Sequence, residues 1–193
     1  MSGHMSSTSV EPHARRGAGG RADRVDALVD ATVEELRANG YEGLTVRNAA
    51  RRAGVAPATA YTYFASKDHL VAEVFWRRLQ TLEPVVAKGA ARARVSAALR
   101  DLALLIAEEP ELAAASTTAV LAVDHDVQRL RTRIGSLFND RIVTALGPAA
   151  DPKVVRALNL ALAGALLQAG MGYFSYTELA DRMDEVVAVV VPR

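Results

Sequence analysis

Cysteine is absent from this 193-residue chain, so disulfides and thiolate chemistry are excluded outright. Aromatic residues make up only 5% of it, although hydrophobic residues make up 50%. Alanine and leucine supply the difference, and that mixture favours packed helices over a sheet. Charge of one sign is not in excess either. The net charge of +1 is too near neutral to announce a nucleic-acid binder, so the placement of the charges must decide. The N-terminus lacks an apolar core segment, which leaves a signal peptide out and makes the cytoplasm the default location. The most apolar stretch, 151–175, is diluted by Asn159, Gln168 and three glycines, so no membrane span is expected. Histidine is scarce. His4 and His13 lie in the tail, and His69 and His125 stand apart from any spaced HExxH-type partner. Asp124-His125-Asp126 holds metal-ligand types, but adjacent residues at a helix start do not converge on one ion. No Ser/His/Asp arrangement and no phosphate-cradling glycine loop is visible, so the expectation is no enzyme, no metal and no cofactor.

What is present is helical periodicity. Met1-Ser2-Gly3-His4-Met5 reads as a tag remnant, and the Ser/Gly/Arg-rich stretch to Gly20 reads as a disordered arm. From Arg21 to Asn39, Val25, Leu28, Val29, Val33 and Leu36 recur at helical spacing, and Gly40 follows as a stop. Thr45 stands at an N-cap position before a short helix that ends at Gly54. A second short helix begins at Ala56-Pro57, where a first-turn amide needs no partner. Ser66 caps a longer helix that Pro84 ends. Further helices are expected at about 92–108, 110–122, 125–146, 151–175 and 177–191, with Pro110, Gly147-Pro148 and Asp151-Pro152 as punctuation. The fold class is therefore all-α with about nine helices. Residues 21–67 form a three-helix helix-turn-helix domain, and 68–193 a helical domain for effector binding and dimerisation.

The segment from Thr45 to Phe64 carries the chemistry. Two short helices joined by a tight turn at Gly54 make a helix-turn-helix, whose second helix lies in the major groove with its N-terminal residues at base edges. Ala50 is small where the helices cross, and Val46, Ala49, Val55, Ala60 and Phe64 can fill the cluster beneath. Arg47 can reach a phosphate or a base edge. Pro57, Ala58 and Thr59 open the recognition helix, where alanine and the threonine methyl suit a thymine methyl. Tyr61 and Tyr63 present hydroxyls to phosphate oxygens, and two positions two apart cannot both face one helical core. Lys67 lies in the first turn of the next helix, where the backbone amides already favour an anion. Between Gly43 and Leu70, Arg47, Arg51, Arg52 and Lys67 outweigh the single acid Asp68. Arg51 and Arg52 are read as solvated surface, and Arg15, Arg16 and Arg21 as tail in preference to minor-groove contacts.

These same residues resemble a known family. Thr45-Val46-Arg47, Ala50, Ala53-Gly54-Val55, Tyr61-Thr62-Tyr63-Phe64, Ser66-Lys67-Asp68 and Leu70 resemble the DNA-binding module of the tetracycline-repressor (TetR) family. Ala49 and Ala60 depart from the larger aliphatics usual there, and Asn48 from a common acidic residue. The resemblance implies DNA contacts at Thr45, Arg47, Tyr61, Tyr63 and Lys67. It also implies a homodimer through the last two helices, repression as the default, and a palindromic double-stranded DNA partner.

The 151–175 helix is apolar almost all round, so it must be buried, and Gly164, Gly170 and Gly172 allow close helix approach in a dimer. Trp76, Leu102, Ile106, Thr117, Leu121, Phe138, Gln168 and Tyr173 are the candidate lining of an effector pocket. Each could equally be plain core. Their mixture suits a small apolar effector fixed by a few polar contacts: a lipid, an acyl-thioester, a steroid-like or an aromatic compound. A helix-turn-helix repressor with no effector is the competing expectation.

Overall fold

The computed structural model describes residues 16–148 and 150–192, so the expected tag remnant and most of the arm lie outside the described residues. The described chain is helical, with no strand in it: α1 (Arg16–Gly43), α2 (Val46–Arg52), α3 (Pro57–Tyr61), α4 (Lys67–Leu79), α5 (Ala91–Ala107), α6 (Pro110–Ala119), α7 (His125–Leu146), α8 (Pro152–Gly170) and α9 (Leu179–Val190). Val186 to Val190, β-branched enough to suit a strand, completes α9.

Most boundaries follow from local chemistry. The Thr45 hydroxyl accepts from the Asn48 amide at 3.0 Å, and the Ser66 hydroxyl from the His69 amide at 3.0 Å. The Asp124 carboxylate takes the Asp126 and Val127 amides, and Asp151 takes that of Lys153. Pro57, Pro110 and Pro152 each stand in a first turn, where no intrahelical donor is lost.

Three boundaries differ from expectation. α1 begins at Arg16 rather than Arg21, because the glycines of the supposed arm weaken a helix without breaking it as proline does. Its helical path is interrupted at Gly40 (φ 64°), and one more turn follows. α4 stops at Leu79, and Thr81 and Leu82 form tighter turn bonds before Pro84, which disfavours helix in the residue ahead of it. α8 stops at Gly170. Gly172 turns to φ 80°, and Ser175 then gives both its amide and its hydroxyl to the Glu178 carboxylate, at 2.9 Å each. Those bonds hold the Glu178 carboxyl below its usual range.

Two apolar cores result. The first gathers Leu28, Leu36, Leu44, Val46, Ala49, Ala50, Ala60 and Phe64, and adds Leu70, Val71 and Val74 from α4. It also takes Leu112, Ala115 and Ala119 from α6. The alanines at positions 49 and 60 are fully buried, so the short helices sit close together where larger aliphatics would hold them apart. The second core runs through the body, where α5 packs along α9 and α7, and α8 along α9. Burying each of its leucines stabilises the fold by about 1.5–3 kcal/mol. α4 belongs to both cores. It joins the N-terminal module to the body through one continuous helix.

Candidate nucleic-acid interface and internal cavity

The helix-turn-helix is built around Gly54. Its φ of 66° lies in the left-handed region, and a Cβ added there would meet nothing within 4 Å. The requirement is therefore conformational and not one of space. The turn is closed by the Gly54 and Val55 amides on Arg51 and Ala50 carbonyls at 3.2 and 2.9 Å. α3 then emerges with Pro57 and Ala58 exposed and Thr59 half-buried. Ala58 and Tyr61 lie three apart, on the side away from buried Ala60 and Phe64. Tyr61 is 50% exposed. Tyr63 is half-buried, with the Arg21 guanidinium 5.5 Å from its ring centroid. Thr45 and Arg47 are exposed at the start of α2.

Two ion clusters brace this module. Buried Glu35 accepts from Arg52 at 2.7 Å and from Asn39 at 2.8 Å, and the Arg52 bond is the chief reason that its carboxyl stays below the ordinary range. Arg52 also reaches Glu34 at 3.4 Å. Arg52 is therefore a brace between α2 and α1, where the sequence reading took it for solvated surface. Lys67 donates to the Tyr41 carbonyl at 3.1 Å, and its ammonium lies 4.0 Å from the Tyr41 ring centroid. The Tyr41 hydroxyl donates to Asp68, and burial together with that carboxylate pushes the phenol well above its usual pKa. An ammonium has three donors, so Lys67 keeps capacity for a phosphate. Tyr41 escaped the sequence reading. Its only signal was an aromatic ring among polar residues at a helix end.

A cavity of about 400 Å³ lies in the body among α5, α6, α7 and α8. Ile106, Thr117, Leu121 and Phe138 line it, as do Phe75, Ile134, Leu166 and Tyr176. The Thr117 and Tyr176 hydroxyls are 3.3 Å apart and form its main polar point, where burial raises the Tyr176 phenol pKa. Asn159 adds an amide, and Arg131 stands exposed at the rim, donating to the Val120 carbonyl at 3.1 Å. Beside Thr117 the wall is very close: a Cβ on Gly170 of α8 would sit 2.9 Å from the Thr117 side chain.

Four expected lining residues lie elsewhere. Leu102 is 1% exposed inside the body core, one helical turn before Ile106. Trp76 faces an outer hollow beside α7. Gln168 and Tyr173 border a third hollow near α9. Ala163, Leu166 and Leu167 use the inward face of α8, so Gln168 is rotated away, and Tyr173 lies beyond the helix end. Phe75 was legible as an apolar position of α4, whereas Tyr176 sits in a link with no periodicity to mark it.

The apolar character of α8 has a visible consequence. Leu160, Leu167, Met171 and Tyr173 are exposed on the single chain, as is Val189 of α9. Among the described residues no helix is long and apolar enough to cross a membrane, and no group of three or more His, Asp or Glu is arranged to hold a metal. Asp124 and Asp126 are occupied instead as a helix cap and as the partner of Arg129.

A tight-turned pair of short helices with an exposed second helix, mounted on a helical body with an apolar cavity, defines a DNA-binding regulator. Comparison with known proteins agrees. Residues 28–74 match the profile described as "Bacterial regulatory proteins, tetR family". The chain is 45% identical over 187 residues to the uncharacterized HTH-type transcriptional regulator Rv0767c of Mycobacterium tuberculosis H37Rv, covering 94% of this chain and 88% of that protein. It is 24% identical over 196 residues to the HTH-type transcriptional repressor KstR of Mycolicibacterium smegmatis, covering 97% and 96%. Among solved structures, the regulator FadR from Bacillus subtilis in complex with stearoyl-CoA matches with a TM-score of 0.65 at 18% identity, over 86% of this chain and 99% of that one, a likeness of fold. The chain belongs to the tetR family of bacterial regulatory proteins, which are helix-turn-helix transcriptional regulators.

Proposed function

We propose that the chain is a homodimeric repressor, held on a palindromic operator by its α3 helices and released when a small apolar effector fills the internal cavity. The observation that carries this reading is the double allegiance of α6. Leu112, Ala115 and Ala119 pack in the core of the DNA-binding module, while Ala113, Ser116 and Thr117 of the same helix wall the cavity. A ligand that displaces α6 therefore displaces the module. Two recognition helices read a palindrome only when they are about one DNA turn apart, roughly 34–36 Å, so a change of spacing lowers affinity. DNA and effector then oppose each other reciprocally.

Dimerisation through α8 and α9 is supported by their exposed apolar side chains, which a symmetric partner would cover. In the DNA complex, Thr45, Arg47, Tyr61, Tyr63 and Lys67 hold phosphates, while Pro57, Ala58 and Thr59 meet base edges. The cavity volume falls at the small end of the usual range of about 300–1,000 Å³. Its aliphatic walls and the Thr117–Tyr176 hydroxyl pair suit an acyl chain or ring system with one oxygen to bond. FadR, whose fold is similar, is bound to stearoyl-CoA, which supports an acyl-thioester as the first class to try.

The test is titration of purified protein against DNA from around its own gene at several salt concentrations, followed by lipids, acyl-thioesters, steroids and aromatic compounds. The expected result is saturable binding to one palindromic fragment, weakening steeply with salt, and release by one of those classes. Equal, weak binding to every fragment would overturn the operator. Silence across the whole library, in both release and thermal shift, would leave a repressor that answers to no small molecule.

A further inference from the structure

A second hollow, of about 590 Å³, opens on the flank of the body between the end of α4, the link after it and α7. Its walls have two characters. Trp76, Pro84, Val85 and Leu137 are apolar, while Arg133 and Arg141 bring positive charge, with exposed Asp140 as the acid in the lining. Arg141 is the unusual residue. Its side chain is nine-tenths buried, yet only Nη1 is engaged, donating to the Glu83 carbonyl at 2.7 Å. Nε and Nη2 find no hydrogen-bond acceptor among the described residues. The nearest carboxylate, Asp101, lies 3.8 Å from Nη2, and its side chain is 59% exposed. Burial lowers the Arg141 pKa, but a guanidinium remains charged at any physiological pH.

Unsatisfied donors on a buried charged group are rare in native proteins and call for an acceptor. The two that are free here have a defined geometry. Nε–H and the Nη2 amino group form one edge of the planar fork, the edge that receives both oxygens of a carboxylate in parallel. Beside that edge lies an apolar wall large enough for a small organic body. A phosphate would gain the same fork but waste the wall.

We propose that this hollow is a second ligand site, specific for a small organic carboxylate, with the carboxylate on the Nε and Nη2 edge of Arg141 and its apolar body against Trp76, Pro84, Val85 and Leu137. The site is separate from the internal cavity and stands whether or not that cavity takes an effector. It bears on α4, so occupancy would be felt by the helix that enters the DNA-binding module.

Trp76 is the single tryptophan of the chain, so its emission reports this hollow directly. The full-length protein is titrated with octanoate and with phenylacetate, and then with octanamide and phenylacetamide, which keep the shape but lose the charge. The expected result is a saturable change of Trp76 emission with at least one acid, and binding of its amide weaker by about tenfold or more. Arg141→Lys, which keeps the charge but loses the fork, should weaken the acid by a similar factor. Thr117→Val in the internal cavity should leave it unchanged. Equal response to acid and amide, loss through Thr117→Val with Arg141→Lys silent, or no saturable response to either acid into the millimolar range would each overturn the proposal.

Discussion

The hydroxyl of Tyr61 makes no hydrogen bond among the described residues, although half of the residue is open to solvent. Tyr61→Phe should therefore cost the fold nothing, and the melting temperature checks that. It should weaken operator binding by roughly tenfold in a gel-shift or anisotropy titration, the loss of one charge-assisted bond to phosphate. Unchanged affinity would remove Tyr61 from the contact set. Glu35 is its opposite, a residue whose work is internal. The Arg52 guanidinium holds its folded carboxyl below the ordinary value, so the bond adds stability above the ordinary carboxylate range and loses it as pH falls through the depressed value. The melting temperature of Glu35→Gln should lie below that of the parent at neutral pH, and the two should converge in acid. A constant gap across pH would mean that the loss is packing alone. At this scale the sequence was legible wherever chemistry is local. Thr45 and Ser66 cap helices because their hydroxyls serve amides three residues on. Tyr41 and Arg52 were illegible because their partners Asp68 and Glu35 lie 27 and 17 residues away.

At the scale of elements, helical periodicity reveals which face of a helix is apolar but not which neighbour covers it. Ile106 and Leu102 lie on one face of α5 and were indistinguishable in sequence, yet one walls the cavity and the other fills the core. The α8 end was missed for a related reason. Gly170 and Gly172 were read as close-approach residues; Gly170 is one, but Gly172 turns the chain. Gly54 offers the sharpest test of an element. Gly54→Ala forces a Cβ into a left-handed conformation at a cost of about 1–2 kcal/mol, so the melting temperature should fall by roughly 2–8 °C with the fold retained. No loss would show that the turn does not need its positive φ. A second test lies where α6 begins. Buried Glu109 pairs with Arg78 of α4, and Arg37 of α1 lies 3.7 Å from the same carboxylate. Glu109→Gln should destabilise by about 1–3 kcal/mol, screened in part because both arginines are well exposed. If this cluster links α6 to the DNA-binding module, the variant should still bind operator but release it less sharply with effector. An unaltered release curve would confine Glu109 to stability.

At the scale of the whole molecule, the α8 and α9 surface decides whether two modules act together. Leu160 is 69% exposed near the middle of α8. Leu160→Arg should give a folded monomer by light scattering and lower operator affinity by about tenfold or more, since two half-sites would no longer be engaged as one. A variant that stays dimeric would move the interface elsewhere. The all-helical plan was legible in the sequence because it follows from composition and punctuation. The cavity volume was not, because it depends on how four helices lean on each other.

The contact between Gly170 and Thr117 gives that body a fulcrum. With no side chain between them, α8 and the C-terminal half of α6 touch almost at the backbone, so this end of α6 has little room to slide. A ligand wedged between α6 and α7 would tip the helix about that point. Pro110, seven residues or roughly 10 Å along the axis, is the free end of the lever, and it carries Glu109 with its hold on α4. A displacement too small to notice at Thr117 would arrive magnified where the body grips the reading head, and the length of the lever, more than the strength of any contact, would set how small an effector can still be heard.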